Sequence, residues 1–294
     1  MKKFKILAFY KFTQFDALSK LQSDLQNYCQ ENQVLGSVLI SGEGLNGTIA
    51  GREENINLVL SFFQNLPGCR NLEYKTSFTT EKPFLKLRVR LKKEIVTMGR
   101  PEVKPSQLVG NYIDPKAWNN FIKQDDVVVI DTRNDYEVAI GTFEGSINPG
   151  TQRFRDFPSW WGKNSSKYKD KKIAMFCTGG IRCEKSTNYL IQNNQKNVFH
   201  LKGGILKYLE DVPINESKWK GECFVFDQRV SVKHGLEKGS YNLCYACRRP
   251  LSEGDKKDIN YEEGVSCHHC FNQHSPERKN GFRERQRQIN RKLE

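Results

Sequence analysis

One stretch decides the fold of the centre of this chain: Lys172-Ile173-Ala174-Met175-Phe176-Cys177-Thr178-Gly179-Gly180-Ile181-Arg182-Cys183. Residues 172–176 are mostly apolar and predict a buried strand, while residues 184–193 predict a helix. Cys177 therefore begins a strand-to-helix turn, in which backbone N–H groups and the positive end of the helix face the first residue. This environment favours a thiolate, so we expect Cys177 to have a lowered pKa and to be catalytic.

The residues between Cys177 and Arg182 complete a candidate anion-binding loop. They are Thr178, Gly179, Gly180 and Ile181. The two glycines permit backbone angles that other residues resist, and Arg182 adds a fixed positive charge as the second candidate catalytic residue. Phosphatases need seven residues from cysteine to arginine to enclose a phosphate, whereas this loop has six, which favours sulfur chemistry. The alternative is an ordinary turn that holds an inert, buried cysteine.

Three further residues are candidates for supporting this loop. Asp131 and Arg133 follow residues 127–130, a continuous apolar run typical of a parallel strand, at the edge where open α/β sheets place their sites. Arg133 could be a second positive charge near the thiolate, or it could pair with Asp131 and hold its own loop. Cys183 could resolve an oxidised Cys177 as a disulfide, or it could be a small buried residue at the start of the helix.

The chain is basic: its 294 residues include 47 Lys and Arg against 34 Asp and Glu, a formal net charge of +13. Such a charge indicates a polyanionic partner, nucleic acid before membrane, although charge also serves solubility. No apolar run approaches the ~20 residues of a membrane span, so we expect no membrane partner. Nine cysteines, an odd number, favour a reducing cytoplasm over a disulfide framework. The oligomeric state is left open.

Residues 1–98 predict a small α+β domain. The apolar patterns predict a strand at 6–12, a helix at 15–30, strands at 34–40 and 48–50, a helix at 54–65, a strand at 72–76 and a long strand at 84–95. The order β-α-β-β-α-β is typical of a ferredoxin-like, or acylphosphatase-like, fold with both helices on one face of an antiparallel sheet. We expect the other face to be open.

The long strand carries a candidate RNA-binding stripe. Leucines and a valine alternate there with Lys86, Arg88, Arg90 and Lys92, so one side is apolar and the other is basic. Like charges in a row repel one another unless an anion offsets them, and such a row can follow a phosphate backbone. The alternative is a solvated face, or a charged strand that resists edge pairing.

The rest of the chain predicts a linker, a second domain and a tail. Residues 99–124 contain three prolines and predict a linker with one short helix at 115–123. Residues 125–222 predict a catalytic α/β domain with a parallel sheet, and residues 223–294 predict a cysteine-rich segment followed by a basic end.

The cysteine-rich segment contains two Cys-x-x-Cys pairs, Cys244 with Cys247 and Cys267 with Cys270. Their separation fits a zinc ribbon of four cysteines, a closed tetrahedral site that stabilises the tail and does no chemistry. Redox-active dithiols are the alternative, but four thiolates brought together in a reducing compartment readily bind zinc.

The basic end predicts a helix or an extended arm and is a second candidate for RNA contact. Its candidates are Arg283, Arg285 and Arg287, and the same basic run ends at Lys292.

Several of these motifs together resemble a rhodanese domain. They are the loop from Cys177 to Arg182, residues 129–137 and 145–148 before it, and the turn at 202–205 after it. The order of the whole chain is similar, almost end to end, to that of the rhodanese-domain tRNA uridine hydroxylases. This resemblance implies hydroxylation of carbon 5 of the wobble uridine of tRNA, with molecular oxygen as co-substrate and the anticodon arm as the part that is bound. No motif typical of a flavin or haem site is visible.

The loop alone does not distinguish this activity from a rhodanese-type sulfurtransferase that carries a persulfide on Cys177. A third possibility is a tRNA-binding scaffold with a vestigial site, but the intact Cys177 and Arg182 argue against it. The hydroxylase hypothesis carries two structural expectations: the sulfur lies open at the floor of the loop, and the basic surfaces on either side face it.

Overall fold

The structure is a computed structural model that describes residues 3–291. Its first domain contains β1 (Phe4–Phe12), α1 (Leu18–Glu31), β2 (Leu35–Ser41), β3 (Gly44–Gly51), α2 (Glu53–Gln64), β4 (Tyr74–Thr79) and β5 (Leu87–Leu91). The strands form one five-stranded sheet in the order β4-β1-β3-β2-β5.

The first four strands form the predicted ferredoxin-like sheet. Alternate side chains of β1, including Leu7 and Phe9, point to one face and pack with Leu25 of α1 and Val59 of α2 in a fully buried core. The sequence analysis is therefore confirmed for the fold class of this domain. The fifth strand is an addition: β5 pairs in parallel with β2 at the edge of the sheet.

The predicted long strand at 84–95 is much shorter in the structure. β5 pairs with β2 only from Leu87, opposite Gly36, to Leu91, opposite Ile40. Because β2 ends at Ser41, the chain beyond Leu91 has no strand to pair with. The apolar side of the stripe is also only partly buried, since Leu85 is 74% exposed while Val89 is 7% exposed.

The second domain has the predicted α/β architecture. It contains β6 (Asn111–Ile113), α3 (Pro115–Phe121), β7 (Val127–Asp131), α4 (Asp135–Val138), β8 (Gly141–Phe143), α5 (Phe157–Asn164), β9 (Lys172–Phe176), α6 (Ile181–Gln192), β10 (Val198–Leu201) and α7 (Gly204–Asp211). Four strands form a parallel sheet in the order β6-β10-β9-β7, with helices on its faces.

The predicted boundaries of this domain need correction at both ends. The segment at 99–124 is not only a linker, because β6 pairs in parallel with β10 and the predicted helix, α3, packs on α7. At the other end, Cys223 and Val232 belong to the same buried cluster as Phe176 and Leu201. The short patterns in these segments are too weak to show that they join a sheet built from strands elsewhere in the chain.

The tail adds short strands and one long helix. It contains β11 (Trp219–Gly221), β12 (Cys223–Phe224), β13 (Ser231–Val232), β14 (Asn242–Leu243), β15 (Pro250–Leu251) and α8 (Pro276–Asn290). β11 pairs with β8 of the second domain, so the tail is anchored to that domain. Among residues 3–291, no helix combines the length and the apolar character needed to cross a bilayer. Lys292 lies outside the described residues.

The sheet face opposite the helices is not open throughout, as we had expected, because the second domain and the tail contact it at β1 and β4. The Tyr10 hydroxyl on this face donates a hydrogen bond to Glu184 Oε1 of α6 at 2.7 Å. On the neighbouring strand, Ser77 Oγ accepts a hydrogen bond from the Arg229 guanidinium at 2.9 Å. The basic residues of β5 lie on this same face, because the strand registers place Arg90 beside Leu39, Leu39 beside Asn46 and Asn46 beside Tyr10.

An aromatic cluster around Phe143 holds the second domain together. The fully buried Phe143 ring lies with its centroid 5.7 Å from Trp118, 4.8 Å from Phe176, 4.7 Å from Tyr208 and 5.2 Å from Trp219. Three of these four contacts are edge-on, the arrangement that aromatic quadrupoles favour.

We predict that Phe143→Ala lowers the free energy of unfolding of the second domain by about 3–5 kcal/mol, the usual cost of removing a fully buried aromatic ring. Urea unfolding followed by tryptophan fluorescence measures this, since Trp118 and Trp219 both touch Phe143. Ile259→Ala, at a side chain 97% exposed, is the control and leaves the midpoint unchanged. An unchanged midpoint for Phe143→Ala contradicts the packing described here.

Candidate active site

The Cys177 loop forms where β9 ends and α6 begins, as predicted from the sequence. Gly180 is the N-cap of α6 and has a φ of 105°, a backbone conformation that favours glycine. This conformation aims the Gly180 N–H at the Cys177 sulfur, with an N···Sγ distance of 3.2 Å. The start of α6 therefore solvates the sulfur with backbone donors, as a helix N-terminus solvates an anion.

The carbonyl groups of the loop are held by the start of α7. The Cys177 carbonyl accepts a hydrogen bond from the Ile205 N–H at 2.9 Å, and the Thr178 carbonyl accepts one from the Leu206 N–H at 3.1 Å. The backbone approaches so closely here that a Cβ on Gly204 would lie 2.5 Å from the Cys177 oxygen. A side chain at Gly204 would therefore push the catalytic loop out of position.

Cys177 and Cys183 are both buried, and their surroundings shift their pKa values in opposite directions. Burial by itself would raise the pKa of Cys177. This pKa is instead lowered to about 5 by a hydrogen bond from the Cys183 thiol, by the Arg182 charge, and by the backbone N–H groups of Cys183 and Gly180. Burial and the neighbouring Cys177 charge raise the pKa of Cys183, which also contacts Thr132 Oγ1 at 3.6 Å. These opposite shifts favour the thiolate form of Cys177 and the thiol form of Cys183.

Arg182 is not a free anion receptor, because Glu137 holds it. Two hydrogen bonds of 2.6 and 2.8 Å join its guanidinium to the Glu137 carboxylate, and a third of 3.1 Å reaches Thr178 Oγ1. Burial disfavours the charged form of Glu137, yet Arg182 lowers the pKa of this carboxyl below its usual value. Arg182 therefore stabilises the Cys177 charge from a fixed position.

Arg133 pairs with Asp131 and does not supply a second charge to the thiolate. Its Nε and Nη2 donate hydrogen bonds to Asp131 at 2.9 and 2.6 Å, and Nη2 also donates to the Gly141 carbonyl. Both side chains are completely buried. Of the two roles that the sequence left open, the structure supports the one in which this pair holds the loop after β7.

The first domain supplies the second positive charge that the sequence analysis sought in Arg133. Lys75 of β4 donates a hydrogen bond from Nζ to the Gly179 carbonyl at 2.9 Å, directly on the catalytic loop. Burial lowers the Lys75 pKa, and the Cys177 charge acts in the opposite direction. Nearby, a Cβ on Gly180 would lie 2.8 Å from the Tyr10 hydroxyl, so this hydroxyl is packed against the loop.

Glu184 connects the two domains beside the loop. Its Oε1 accepts hydrogen bonds from the Tyr10 hydroxyl at 2.7 Å and from the Tyr112 hydroxyl at 3.0 Å. Burial raises the pKa of the Glu184 carboxyl, and the two tyrosine hydroxyls partly offset this effect. A second interdomain contact is made by the buried Lys185, which pairs with Glu43 at 2.9 Å and Glu94 at 2.7 Å.

The expectation that the sulfur lies open at the floor of the loop is wrong for this structure, because Cys177 has an exposed fraction of 0%. The contacts of Tyr10 and Lys75 cover the loop from the side of the first domain. Gly179 is partly exposed, and a Cβ added there would meet no atom within 4 Å. The free space beside the loop therefore begins at Gly179, while the Cys177 sulfur itself is closed off from solvent.

The basic stripe on β5 is exposed and unpaired. Within the part of the chain that the structure describes, Lys86, Arg88, Arg90 and Lys92 form no ion pair and no side-chain hydrogen bond. Their sheet face also carries Tyr10, which contacts the catalytic loop region. These charges remain available to an external anion.

The basic end of the chain forms the predicted helix, α8, but two of its three candidate residues are engaged within the protein. Arg283 forms two hydrogen bonds of 2.6 Å with Glu262, and Arg285 donates one to the Gly264 carbonyl at 2.6 Å. These contacts dock α8 on the cysteine-rich segment. Arg287 is the exposed member, with 70% of its side chain accessible and only a 3.7 Å pairing with Glu284.

The four tail cysteines converge and could hold a metal ion. Their sulfur atoms all lie within 4.8 Å of one another, with separations of 3.9 Å for Cys244–Cys270, 3.7 Å for Cys247–Cys267 and 3.8 Å for Cys267–Cys270. A tetrahedron with metal–sulfur bonds of ~2.3 Å has edges of about 3.8 Å. The donor set and its size therefore fit one tetrahedral ion with no open position.

Sequence reasoning missed four residues of the site: Tyr10, Lys75, Glu137 and Glu184. For Glu137, the only local signal is the helix start with its capping box at Asn134. Tyr10 and Lys75 reach the loop from another domain, and no sequence pattern indicates such a contact. The two tryptophans at 160–161 pack against Tyr168 and Phe157.

Comparisons with known proteins agree with this architecture. The family described as UPF0176 acylphosphatase like domain matches residues 4–95, and the family described as Rhodanese-like domain matches residues 114–211. The second match begins before β7, in agreement with the corrected start of the second domain.

Relatives of similar length share about half of their residues with this chain. The chain is 54% identical over 286 residues to the tRNA uridine(34) hydroxylase of Roseobacter denitrificans, covering 97% of each chain. It is 51% identical over 282 residues to the protein of the same name from Picosynechococcus sp., covering 96% of this chain and 95% of the relative. It is 54% identical over 286 residues to the protein of that name from Ruegeria pomeroyi, covering 97% of this chain and 95% of the relative.

We predict that alkylation of Cys177 by iodoacetamide depends on pH with a midpoint near 5, its lowered pKa, and not near the ~8.5 of an ordinary cysteine. The thiolate is the reactive form, so the rate rises with pH below the midpoint and levels off above it. Cys183→Ala removes one hydrogen bond to the thiolate and raises the midpoint by roughly one pH unit. Mass spectrometry of the Cys177 peptide measures the rate.

Cys69→Ala is the matched control, since this buried cysteine lies in the core of the first domain and leaves the Cys177 profile unchanged. A midpoint above pH 8 in the unmodified protein means that the loop does not stabilise the thiolate.

Proposed function

Because the chain belongs to the tRNA uridine(34) hydroxylase family, we propose that it hydroxylates carbon 5 of the wobble uridine of tRNA in an oxygen-dependent reaction. The observation that carries this proposal is the position of Cys177 at the turn into α6, where the Gly180 N–H lies 3.2 Å from its sulfur and favours the nucleophilic thiolate. Uracil is electrophilic at carbon 6, and attack by a thiolate there activates carbon 5.

The anticodon arm is the part of tRNA that the protein binds. Its phosphates contact the exposed stripe on β5, which shares a sheet face with Tyr10 beside the catalytic loop. Arg287 of α8 is a further phosphate contact, while Arg283 and Arg285 dock this helix. The wobble uridine is turned out of its stack and enters beside Gly179, where space is free.

Chemistry begins when the Cys177 thiolate adds to carbon 6 of uracil. The carbon 5–carbon 6 double bond becomes an enolate, with its negative charge shared between carbon 5 and oxygen 4. Lys75 and the loop N–H groups stabilise this charge, because they are fixed donors in a site that closes against water. Arg182, held by Glu137, stabilises the thiolate before the addition and as the leaving group afterwards.

Oxygen then reacts with the enolate. Carbon 5 bonds to molecular oxygen and, with one proton, becomes a hydroperoxide. Two external thiols reduce the hydroperoxide to a hydroxyl group, and yield a disulfide and one water. Loss of the carbon 5 proton expels the Cys177 thiolate and restores the double bond. Uridine, oxygen and two thiols are thus converted to 5-hydroxyuridine, water and a disulfide.

A structural zinc ion in the tail completes the proposal. Four cysteine sulfurs at tetrahedral separations are the donor set of structural zinc sites, and no position is left for a substrate. The cluster orders the segment on which α8 docks, and contributes to catalysis only through this order.

We predict that tRNA incubated with the protein and dithiothreitol in air gains one oxygen atom on its wobble uridine, and gains none under nitrogen. Mass spectrometry of the nucleosides, with isotopically labelled oxygen gas, identifies the source of the oxygen. Cys177→Ser abolishes the product, whereas the control Cys69→Ser retains it, because Cys69 lies in the core of the first domain.

Full hydroxylation by Cys177→Ser rules out the addition to carbon 6. A persulfide on Cys177 and turnover of thiosulfate, without any oxidised uridine, identify a sulfurtransferase instead.

We predict that the purified protein contains about one zinc ion per chain, released when its thiols are blocked, and that Cys267→Ser lowers this content several-fold. Release into a chromogenic chelator measures the metal. Cys223→Ser, at a buried cysteine outside the cluster, is the control for general loss of a thiol. Equal zinc content in the Cys267 variant and the unmodified protein argues against a site of four cysteines.

A further inference from the structure

A groove of about 470 Å³ lies between the edge strand β5 and the tail. Lys86, Arg88 and Arg90 form one wall, and residues 224–228 with Arg248 form the other. The walls are joined by a hydrogen bond of 3.0 Å from the Gln228 N–H to the Pro83 carbonyl. This volume is in the range of sites that enclose a small ligand or one nucleotide-sized group.

The charge of the groove selects an anion. Arg88, Arg90 and Arg248 are exposed, and within the described residues none of them has a carboxylate partner. The one acidic residue of the lining, Asp227, is already paired with Arg229 at 2.6 Å. Alternate side chains of a strand lie ~7 Å apart, so β5 offers its cations in a row, which suits a chain of phosphates better than one compact anion.

The groove also contains an exposed aromatic ring. Phe226 is 63% exposed, and its ring is braced edge-on by Phe224 at a centroid distance of 5.1 Å. Leu85 on the opposite wall is 74% exposed. A fixed, solvent-facing ring among unpaired cations is the combination that binds single-stranded nucleic acid, because bases stack on the ring while phosphates meet the charges.

Two contacts connect the groove to the rest of the molecule. Tyr136 lines the groove, and the next residue, Glu137, holds Arg182 of the catalytic loop. On the other wall, Arg248 follows Cys247 and lies over the Tyr245 ring at 5.3 Å, and the Tyr245 hydroxyl donates a hydrogen bond to Gln228 at 2.9 Å. The lining of the groove thus includes the chain neighbours of Glu137, which holds Arg182, and of Cys247 in the cysteine cluster.

We propose that this groove binds a single-stranded nucleotide next to the target uridine, with its base stacked on Phe226 and its phosphates on Arg88, Arg90 and Arg248. This inference rests on the proposed function, since it specifies how the RNA substrate is held. It assigns the recognition of unpaired RNA to a site made jointly by the first domain and the tail.

The test measures binding of a fluorescein-labelled oligouridine to the full-length protein by fluorescence anisotropy at several salt concentrations. Phe226→Ala weakens binding about tenfold, the usual cost of losing one base–aromatic stack, without changing the salt dependence. Arg90→Gln weakens binding and lowers the slope of log K against log salt by about 0.7, the value for one phosphate contact on a single strand.

Matched controls lie on the far side of the same domain. Phe78→Ala removes a 50% exposed ring from β4, at the opposite edge of the sheet, and Arg70→Gln removes an exposed charge that precedes β4. Both controls retain the affinity of the unmodified protein. If the Phe226 and Phe78 variants bind the oligouridine with equal affinity, the stacking site is overturned. If the protein binds a duplex of the same length more tightly than the single strand, the assignment to single-stranded RNA is overturned.

This experiment separates the two proposals, because binding requires no turnover. If the groove variants lose affinity for oligouridine while tRNA treated with the unmodified protein contains no oxidised uridine, the groove is established and the proposed reaction is rejected. Normal hydroxylation by the unmodified protein, with unchanged oligouridine affinity in the groove variants, rejects the groove alone.

Discussion

A charged sulfur with no contact to water is stable only if fixed donors and charges replace the water, and the site around Cys177 is organised by this requirement. The Gly180 N–H, the Cys183 thiol and the Arg182 guanidinium each face the thiolate. Their combined effect exceeds the cost of burial, which alone would raise the pKa. The short turn from β9 to α6 is the element that brings all three to one atom.

The same requirement explains the two buried ion pairs behind the loop. Arg182 is buried, so its own charge needs a partner, and Glu137 supplies it through two short hydrogen bonds. Arg133 and Asp131 form a second, fully buried pair that fixes the segment between β7 and α4, where Glu137 lies. Because carboxylates hold both Arg182 and Arg133, the further positive charge beside the loop comes from Lys75, on the other domain.

Residues of both domains surround the Cys177 loop. The loop is complete within the second domain, yet its closed state depends on Tyr10 and Lys75 of the first. A domain that carries an exposed basic stripe on the same sheet face can couple the arrival of RNA to the opening and closing of the site. In the proposed reaction, closure excludes water from the enolate, and the donors that surround the enolate then stabilise it more strongly.

The sequence by itself determined the fold class of the two main domains and the identity of the candidate reactive groups. Apolar periodicity predicted the ferredoxin-like sheet, the strand before Cys177 and the helix after it, and cysteine spacing predicted the metal cluster. These features are local, because a strand, a turn or a Cys-x-x-Cys pair is specified by residues a few positions apart.

Only the tertiary structure decided which side chains of one domain contact the other domain. It placed Lys75 and Tyr10 on the catalytic loop, closed the sulfur off from solvent, paired Arg133 with Asp131 and used Arg283 to dock α8. The partners in these contacts are selected by the way separate cores pack together, and the shape of a packed surface leaves no periodic signal in the chain. The candidate reactive cysteine could therefore be predicted from the loop sequence, but its exposure to solvent could not.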